Sequence, residues 1–486
     1  MLNYSVAELR TIMKRVLFSM VLLLVASFTF AQEKNVKEAK SIANGVNPDF
    51  AKAEELINQA LTNPETKDNA ETWDVAGLIQ RKRSEKEMEN AYLRKPYDTL
   101  QVYNSALNMC KFYFKCDELA QIPNEKGKIK NKYRKSNSAT ILAERGNLIN
   151  GGIQFFNLAS QKEGDAANED NKKALDFFAT YIDIAINPMF EKENLLQTDT
   201  VLPQIAYVVR AQQMSELKNR IDSLLNGKKA TVGIAVWTDK GDMLRYNDHV
   251  HFPLLSVFKF HVALAVLDKM DKQSISLDSI VSIKAFQMLP NTYSPLRKKF
   301  PDQDFTITLR ELMQYSISQS DNNACDILIE YAGGIKHIND YIHRLSIDSF
   351  NLSETEDGMH SSFEAVYRNW STPSAMARLL RTADEKELFS NKELKDFLWQ
   401  TMIDTETGAN KLKGMLPAKT VVGHKTGSSD RNADGMKTAD NDAGLVILPD
   451  GRKYYIAAFV MDSYETDEDN ANIIARISRM VYDAMR

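Results

Sequence analysis

The sequence predicts two folded parts, an all-α region of helical-repeat character followed by an α+β domain. The second is expected to be an antiparallel sheet flanked by helices, with an all-helical lobe inserted between its strands. Three observations lead there. At 486 residues the chain exceeds what one hydrophobic core usually holds. Residues 33–207 show helical patterning interrupted by polar turns and proline stops, without a strand-like run. From Met214 onward, β-branched runs stand near both ends of a helix-rich middle, so the early and late strands must pair to make one sheet.

The first 31 residues precede the fold and read as an export signal. Lys14 and Arg15 form the basic start, Val16 to Val25 is an apolar run of the length seen in signal peptides, and Thr29-Phe30-Ala31 suits cleavage after Ala31. Met13 directly before the basic pair reads as the natural start. With no cysteine ahead of Cys110, a lipid anchor is not expected. The mature chain is therefore expected to be exported to the periplasm, with no membrane anchor after cleavage. A net charge of −4 gives no reason to expect nucleic acid as a partner.

In the helical region, Ala51 to Ala60 is amphipathic and stops at Asn63-Pro64, and Asp176 to Ile186 stops at Asn187-Pro188. The small-residue spacing Ala53 to Ala60 beside a proline resembles a tetratricopeptide repeat, with a plain helical bundle as the alternative. Lys126 to Lys135 reads as a solvated basic face. Cys110 and Cys116 would stand about 9 Å apart along one helix, too far for a disulfide, so both read as thiols. Cys325 reads as a core thiol. None of the seven histidines falls in this region, and it shows no phosphate loop or metal-ligand spacing. Residues 208–213, Val-Val-Arg-Ala-Gln-Gln, resemble the end of a second signal peptide. A fresh helix is expected from Met214 to Leu225, and the domain proper from 214 to 486.

The α+β domain begins with a strand over Ala230 to Trp237 and a turn at Asp239-Lys-Gly-Asp242. It ends with strands over Ala443 to Leu448 and Tyr454 to Met461, then a helix from Asn470 to Met485. Three motifs lie between: Ser256-Val-Phe-Lys259, Ser320-Asp-Asn322 and Lys425-Thr-Gly427. A serine hydroxyl needs a base to become a nucleophile. If Ser256 starts the helical run Phe258 to Val266, Lys259 lies one turn on, on the same face, and the helix N-terminus favours developing negative charge. Lys259 serves as base only if its pKa is depressed, as a nearby Lys425 would cause. Each motif also has an ordinary structural use, Ser256 as a helix cap and Ser-Asp-Asn as a turn. The ordered set of three is what outweighs those uses. His249 and His251 share a strand face, but no third ligand stands at zinc spacing.

This ordered set is the known signature of class A β-lactamases and penicillin-binding proteins, and Met214 to Arg486 resembles class A throughout. Within the class, Gln319-Ser-Asp-Asn, His424-Lys-Thr-Gly and the pair Asn441-Asp442 resemble its cephalosporinase branch. The resemblance implies a β-lactam as small-molecule substrate, with Ser256 as nucleophile, no metal, no cofactor and a monomeric catalytic domain. It implies that Ser320 relays a proton, Asn322 holds the substrate amide, and Lys425 and Thr426 bind its carboxylate. Gly427 would allow close backbone approach. The backbone N–H of Ser256, with that of Ser428 or Ser429, would form the oxyanion hole, and Ser428 would border the substrate. Glu356, between the second and third motifs, is implied as the deacylating base, with Glu354 as its contender. That base separates a hydrolase from the alternative, a D-Ala-D-Ala peptidase that holds its acyl-enzyme. A third reading makes the chain a helical adaptor carrying an incidental enzyme domain.

Several positions depart from the class pattern. Asp357 stands for the usual proline and His360 for the usual asparagine of the Ω-loop. The usual Arg–Asp pair at the loop neck is Glu354 and Asn369, which cannot pair in that way. Ser428-Ser429 follows the third motif where glycine is often found. No carboxylate-binding arginine stands out, and Lys411 is the substitute candidate. His360 is open to two uses, placing the hydrolytic water or bonding within the core.

Overall fold

The computed structural model describes residues 33–123, 126–238 and 241–485. The export signal, its cleavage point and the alternative start at Met13 lie outside them, as does part of the expected turn at 239–242. The chain forms two compact units, Met1–Ala211 and Gln212–Arg486.

The described part of the first unit is helical. It runs through α1 (33–43), α2 (Phe50–Thr62), α3 (Ala70–Tyr92), α4 (Thr99–Ala120), α5 (Arg134–Ala159), α6 (Gly164–Ile186), the short α7 (Leu195–Thr198) and the start of α8 (Leu202–Leu225). The polar turns between them supply caps. The side chains of Asp49, Asn69 and Asp98 accept from the amides of Lys52, Glu71 and Gln101 at the starts of α2, α3 and α4. With 23 and 22 residues, α3 and α4 do not both fit a 34-residue repeat, and the bundle alternative describes them better. Glycine brings α5 against α6. A Cβ on Gly151 or Gly152 would lie 2.5 Å from the rings of Phe177 or Phe178. Phe155 stacks on Phe177 with centroids 5.6 Å apart. Cys110 and Cys116 both lie on α4 as buried free thiols, and burial pushes both up, Cys116 to about 12.

The helix expected to start at Met214 starts twelve residues earlier. α8 runs unbroken from Leu202 because no Gly or Pro interrupts it after Pro203 in its first turn. Residues 208–213 are thus helical. Leu202 and Ile205 join the core of the first unit, and Leu217, Ile221 and Leu224 join a core of the second.

The second unit continues with β1 (Thr231–Thr238), β2 (Gly241–Tyr246) and β3 (Phe252–Pro253), then α9 (Lys259–Lys272), β4 (Ile280–Ile283), α10 (Pro295–Lys299) and β5 (Phe305–Thr308). Next come α11 (Leu309–Ile317), α12 (Asn322–Ala332), α13 (Ile335–Arg344), β6 (Phe350–Asn351), α14 (Glu356–Met359), β7 (Trp370–Ser371), α15 (Pro373–Glu385) and α16 (Lys392–Ile403). The unit ends with β8 (Val421–Ser428), β9 (Lys437–Ile447), β10 (Lys453–Ser463) and α17 (Asp467–Met485). The main sheet has the order β2-β1-β10-β9-β8, antiparallel throughout, with Thr231 opposite Met461. The early strand therefore lies beside the last one, as the sequence requires.

Alternation of side chains divides the core between the two faces of this sheet. Val232, Ile234, Val422, Val446 and Ile456 pack with Ile473, Ile474 and Ile477 of α17. On the other face, Ala235, Ala443, Leu445 and Phe459 pack with α9 and α15. α9 is buried on all sides from Lys259 to Leu267, as suits a central helix. It carries Lys259 into the interior, and β8, at the sheet edge, carries the third motif to the same place. His251 stacks on Trp370 at 3.4 Å between ring centres, which accounts for its place beside β3.

Candidate active site

Ser256 sits on a 3-10 turn, Leu255–Phe258, that leads into α9. Leu255 has φ 46°, a costly conformation for a branched side chain. Distant residues hold this turn. Asn441 donates from Nδ2 to Pro253 O at 2.7 Å, and Leu254 N donates to Asn369 O at 2.8 Å. Gly427 presses on it from β8. A Cβ there would overlap Leu254 O and stand 3.1 Å from Ser256 N, so no other residue lets β8 approach so closely.

The motif side chains converge on Lys259. Its Nζ lies 2.7 Å from Ser320 O, 2.7 Å from Asn322 Oδ1, 2.8 Å from Glu356 Oε1 and 2.9 Å from Ser256 Oγ. Carbonyl, amide and carboxylate oxygens are acceptors only, so together they call for all three protons of an ammonium. Ser256 Oγ in turn donates to Glu356 Oε1 at 3.3 Å. Lys425 Nζ donates to Ser320 Oγ at 2.9 Å and to Thr426 O at 2.9 Å. Burial, followed by the nearby Lys259 ammonium, holds Lys425 well below the usual lysine range. Asp321 works behind them. Its carboxylate takes the amides of Leu296 and Ala324 and the hydroxyl of Ser294, and burial pushes it up.

Glu356 begins the one-turn helix α14, and its side chain is almost fully buried. Asp326 on α12 places it, accepting from Glu356 N at 2.7 Å and Asp357 N at 2.9 Å. Burial pushes Asp326 up to about 6. The loop neck closes without an ion pair between Glu354 and Asn369. Asn369 instead accepts from the amides of Ser353 and Glu354 at 2.8 and 2.9 Å and donates to Glu354 O at 2.8 Å, while the Glu354 carboxylate pairs with Arg368. Glu354 thus points away from Ser256, and Glu356 is the carboxylate at hand. His360 is exposed and bonds by Nδ1 to Glu356 O at 2.7 Å, which corrects the core-histidine reading.

Replacing Asp326 by Ala should strand two amides at the start of α14 and let Glu356 drift. A displacement of about 1 Å at a reacting group costs on the order of 10²-fold. A fall of about that size in kcat, with acyl-enzyme visible by intact mass, is expected.

These groups line a cleft of about 730 Å³. Thr426 Oγ1 and Thr407 Oγ1 meet at 2.7 Å on one side. Met359, Phe363 and Val366 form an apolar wall, with Tyr293 and Thr292 in the lining as well. Asn322 donates from Nδ2 to Thr292 Oγ1 at 2.8 Å, so its two amide atoms link Lys259 to the cleft wall. Lys411 does not fill the part expected of it. Its buried ammonium is committed to Asp440 Oδ1 at 2.5 Å and Asn441 O at 3.2 Å, which leaves the Thr407–Thr426 hydroxyls facing the cleft. The ladder also separates Ser428 from Ser429. Ser429 N donates to Ala439 O, while Ser428 pairs with Asp440 at the position between ladder bonds. The amide of Ser428 therefore points outward from β9, into the cleft.

A strained serine turn, a buried lysine–carboxylate pair and the cleft-facing amide of Ser428 define an enzyme of serine acyl transfer. The Beta-lactamase enzyme family matches residues 216–485. A β-lactamase of Bacteroides uniformis is 97% identical over 287 residues, covering 59% of this chain and 97% of that protein. The extended-spectrum β-lactamase PER-1 of Pseudomonas aeruginosa is 40% identical, over 55% of this chain and 86% of its own length. Among solved structures, a class A β-lactamase from Bacteroides cellulosilyticus superposes with a TM-score of 0.55 at 59% identity, over 56% of this chain and 98% of that one. The chain belongs to the β-lactamase family, and its second unit is a class A enzyme that hydrolyses β-lactams.

Proposed function

We propose that hydrolysis proceeds through an acyl-enzyme on Ser256 and that cephalosporins are the preferred substrates. The observation that carries the mechanism is the buried contact of Glu356 with both Ser256 Oγ and Lys259 Nζ. Glu356 takes the Ser256 proton as Oγ attacks the lactam carbonyl, and Lys259, as ammonium, orients both groups. The N–H groups of Ser256 and Ser428 hold the oxyanion, a contribution of about 3 kcal/mol for each donor. The ring C–N bond then breaks, and its nitrogen takes a proton from Ser320, whose hydroxyl Lys425 holds in place. The proton that Glu356 took from Ser256 passes through the Lys259 ammonium to Ser320, which restores the Glu356 carboxylate. Glu356 then deprotonates the water that attacks the ester and returns that proton to Ser256 Oγ as it leaves. Asn322 and Thr292 face the substrate amide, and Thr407, Thr426 and the Lys425 charge face its carboxylate.

The cephalosporin preference is supported by the exposed rings of Tyr293 and Phe363 along the cleft, which give a bulky side chain an apolar surface. Export to the periplasm, where such an enzyme confers resistance, and a monomeric catalytic unit complete the reading. No helix among the described residues is long and apolar enough to cross a membrane. Fusion of an exported helical protein to an exported enzyme is part of the same proposal. The match to the Bacteroides uniformis enzyme is longer than Gln212–Arg486 itself, so the likeness continues upstream toward the leader-like 208–213.

The test is the full chain with a chromogenic cephalosporin and a penicillin, intact mass being followed alongside. Rapid turnover, a transient adduct on Ser256 and a higher kcat/KM for the cephalosporin are expected. A stoichiometric, lasting adduct would sink the hydrolytic role of Glu356, and equal or better penicillin turnover would sink the preference.

A further inference from the structure

His424 and Asp442 form a fully buried pair, their side chains lying across β8 and β9 from one another. His424 Nδ1 stands 2.8 Å from both Asp442 oxygens, and Leu412 N donates to Asp442 Oδ2 at 3.0 Å. His424 Nε2 is buried with no hydrogen-bond partner among the described residues. An imidazolium would carry a buried N–H aimed at no acceptor, whereas the neutral Nδ1–H tautomer leaves only a bare lone pair. Among the described residues, no lysine or arginine contacts the Asp442 carboxyl group at hydrogen-bond distance.

The pair lies immediately beside Lys425, which is opposite Ala443 in the ladder while its neighbour His424 is opposite Gly444. Side-chain alternation puts Lys425 on the face that packs α9, with Ala443, and the pair on the other face, with Thr426. Lys425 is fully buried. The charged groups bearing on it are the ammoniums of Lys259 and Lys411 and the carboxylates of Glu356 and Asp442. Glu356 is already paired with Lys259, and Lys411 with Asp440. Lys413 also feels Asp442, and burial holds Lys413 below the usual lysine range. Asp442 is the carboxylate left to balance Lys425.

We propose that Asp442, oriented by a neutral His424 and the Leu412 amide from behind the sheet, is the positioning counter-charge that keeps Lys425 protonated and able to donate to Ser320. This rests on the part given above to Lys425 and Ser320. The measurement is the pH profile of kcat/KM for a chromogenic cephalosporin, on the full chain and three variants whose melting temperatures are recorded. In Asp442→Asn the basic limb should move about one unit toward neutrality, since a lost negative neighbour favours the uncharged lysine. In His424→Asn the limb should stay in place, because an amide N–H still serves the carboxylate. An unmoved limb in Asp442→Asn overturns the inference, because a purely structural pair would lower stability alone. Lys425→Ala separates the two readings. If it keeps wild-type turnover, the part of Lys425 itself falls. If it is impaired while Asp442→Asn keeps its limb, only the counter-charge falls. Should Asp442→Asn fail to fold, histidine-selective 15N NMR of the wild type decides. A neutral Nδ1–H tautomer from pH 6 to 8 is expected for His424, and an imidazolium overturns the inference.

Discussion

Glu356→Gln is expected to acylate at Ser256 and then stall, with kcat for a cephalosporin reduced about 10³-fold, inside the range that a positioned general base contributes. The two half-reactions differ in their reserves. Acylation has two groups within reach of Ser256 Oγ, Glu356 at 3.3 Å and Lys259 at 2.9 Å. Once a glutamine amide replaces the carboxylate, Lys259 loses its charged partner in a buried site and can give up its proton more readily. The Ser256 proton then has a second route. The hydrolytic water has none if, as proposed, the α14 carboxylate is the base on its side of the ester. Intact-mass spectra should therefore show a persistent adduct under conditions where the wild type shows only a transient one. Removing one member of a buried ion pair costs up to roughly 3–5 kcal/mol. The isosteric amide keeps an acceptor toward Lys259, so a smaller loss is expected, and a melting curve separates it from the chemistry. If the variant turns over as the wild type does, Glu356 is not the base.

How much of this was legible beforehand follows the range of each interaction. The early strand could be read because a β-branched run is local, and β1 runs from Thr231 to Thr238 where Ala230 to Trp237 was expected. The groups around Lys259 could be named because the three motifs are short and ordered. What the sequence hid is the support. Asn441 reaches the nucleophile turn across 188 residues, and Asp326 reaches Glu356 across 30. Neither contact leaves a local pattern, and Asp326, on the buried helix α12, reads as any polar residue would. The loop neck could be read only as a loss, the missing Glu354–Asn369 ion pair. That an amide can satisfy two backbone amides and a carbonyl at once emerges only from geometry. Lys411 failed for a related reason. A sequence shows a cation near the third motif, but not that Asp440 on the neighbouring strand has already claimed it. The start of α8 was misplaced because the leader-like composition of 208–213 suggested a break, while helix propensity runs through it without Gly or Pro.

Ser256→Ala should lose about 10⁶-fold in kcat, the scale at which a nucleophile of this kind acts with its base, and should form no adduct at all. The fold should be almost indifferent. The hydroxyl contributes a long bond to Glu356 and one of four contacts to Lys259, whose other three acceptors remain. Loss of one such bond costs about 1 kcal/mol or less. The strain at Leu255 belongs to the backbone and is kept, together with the Asn441 and Asn369 bonds that hold the turn. The variant should therefore still bind a cephalosporin, because Thr407, Thr426, Asn322 and the amide of Ser428 are untouched. Equilibrium binding by calorimetry or fluorescence, beside a turnover assay, checks both halves. Binding without turnover is the expected pair of results. Residual hydrolysis within about tenfold of the wild type would mean that another nucleophile opens the ring and that Ser256 serves only the helix start.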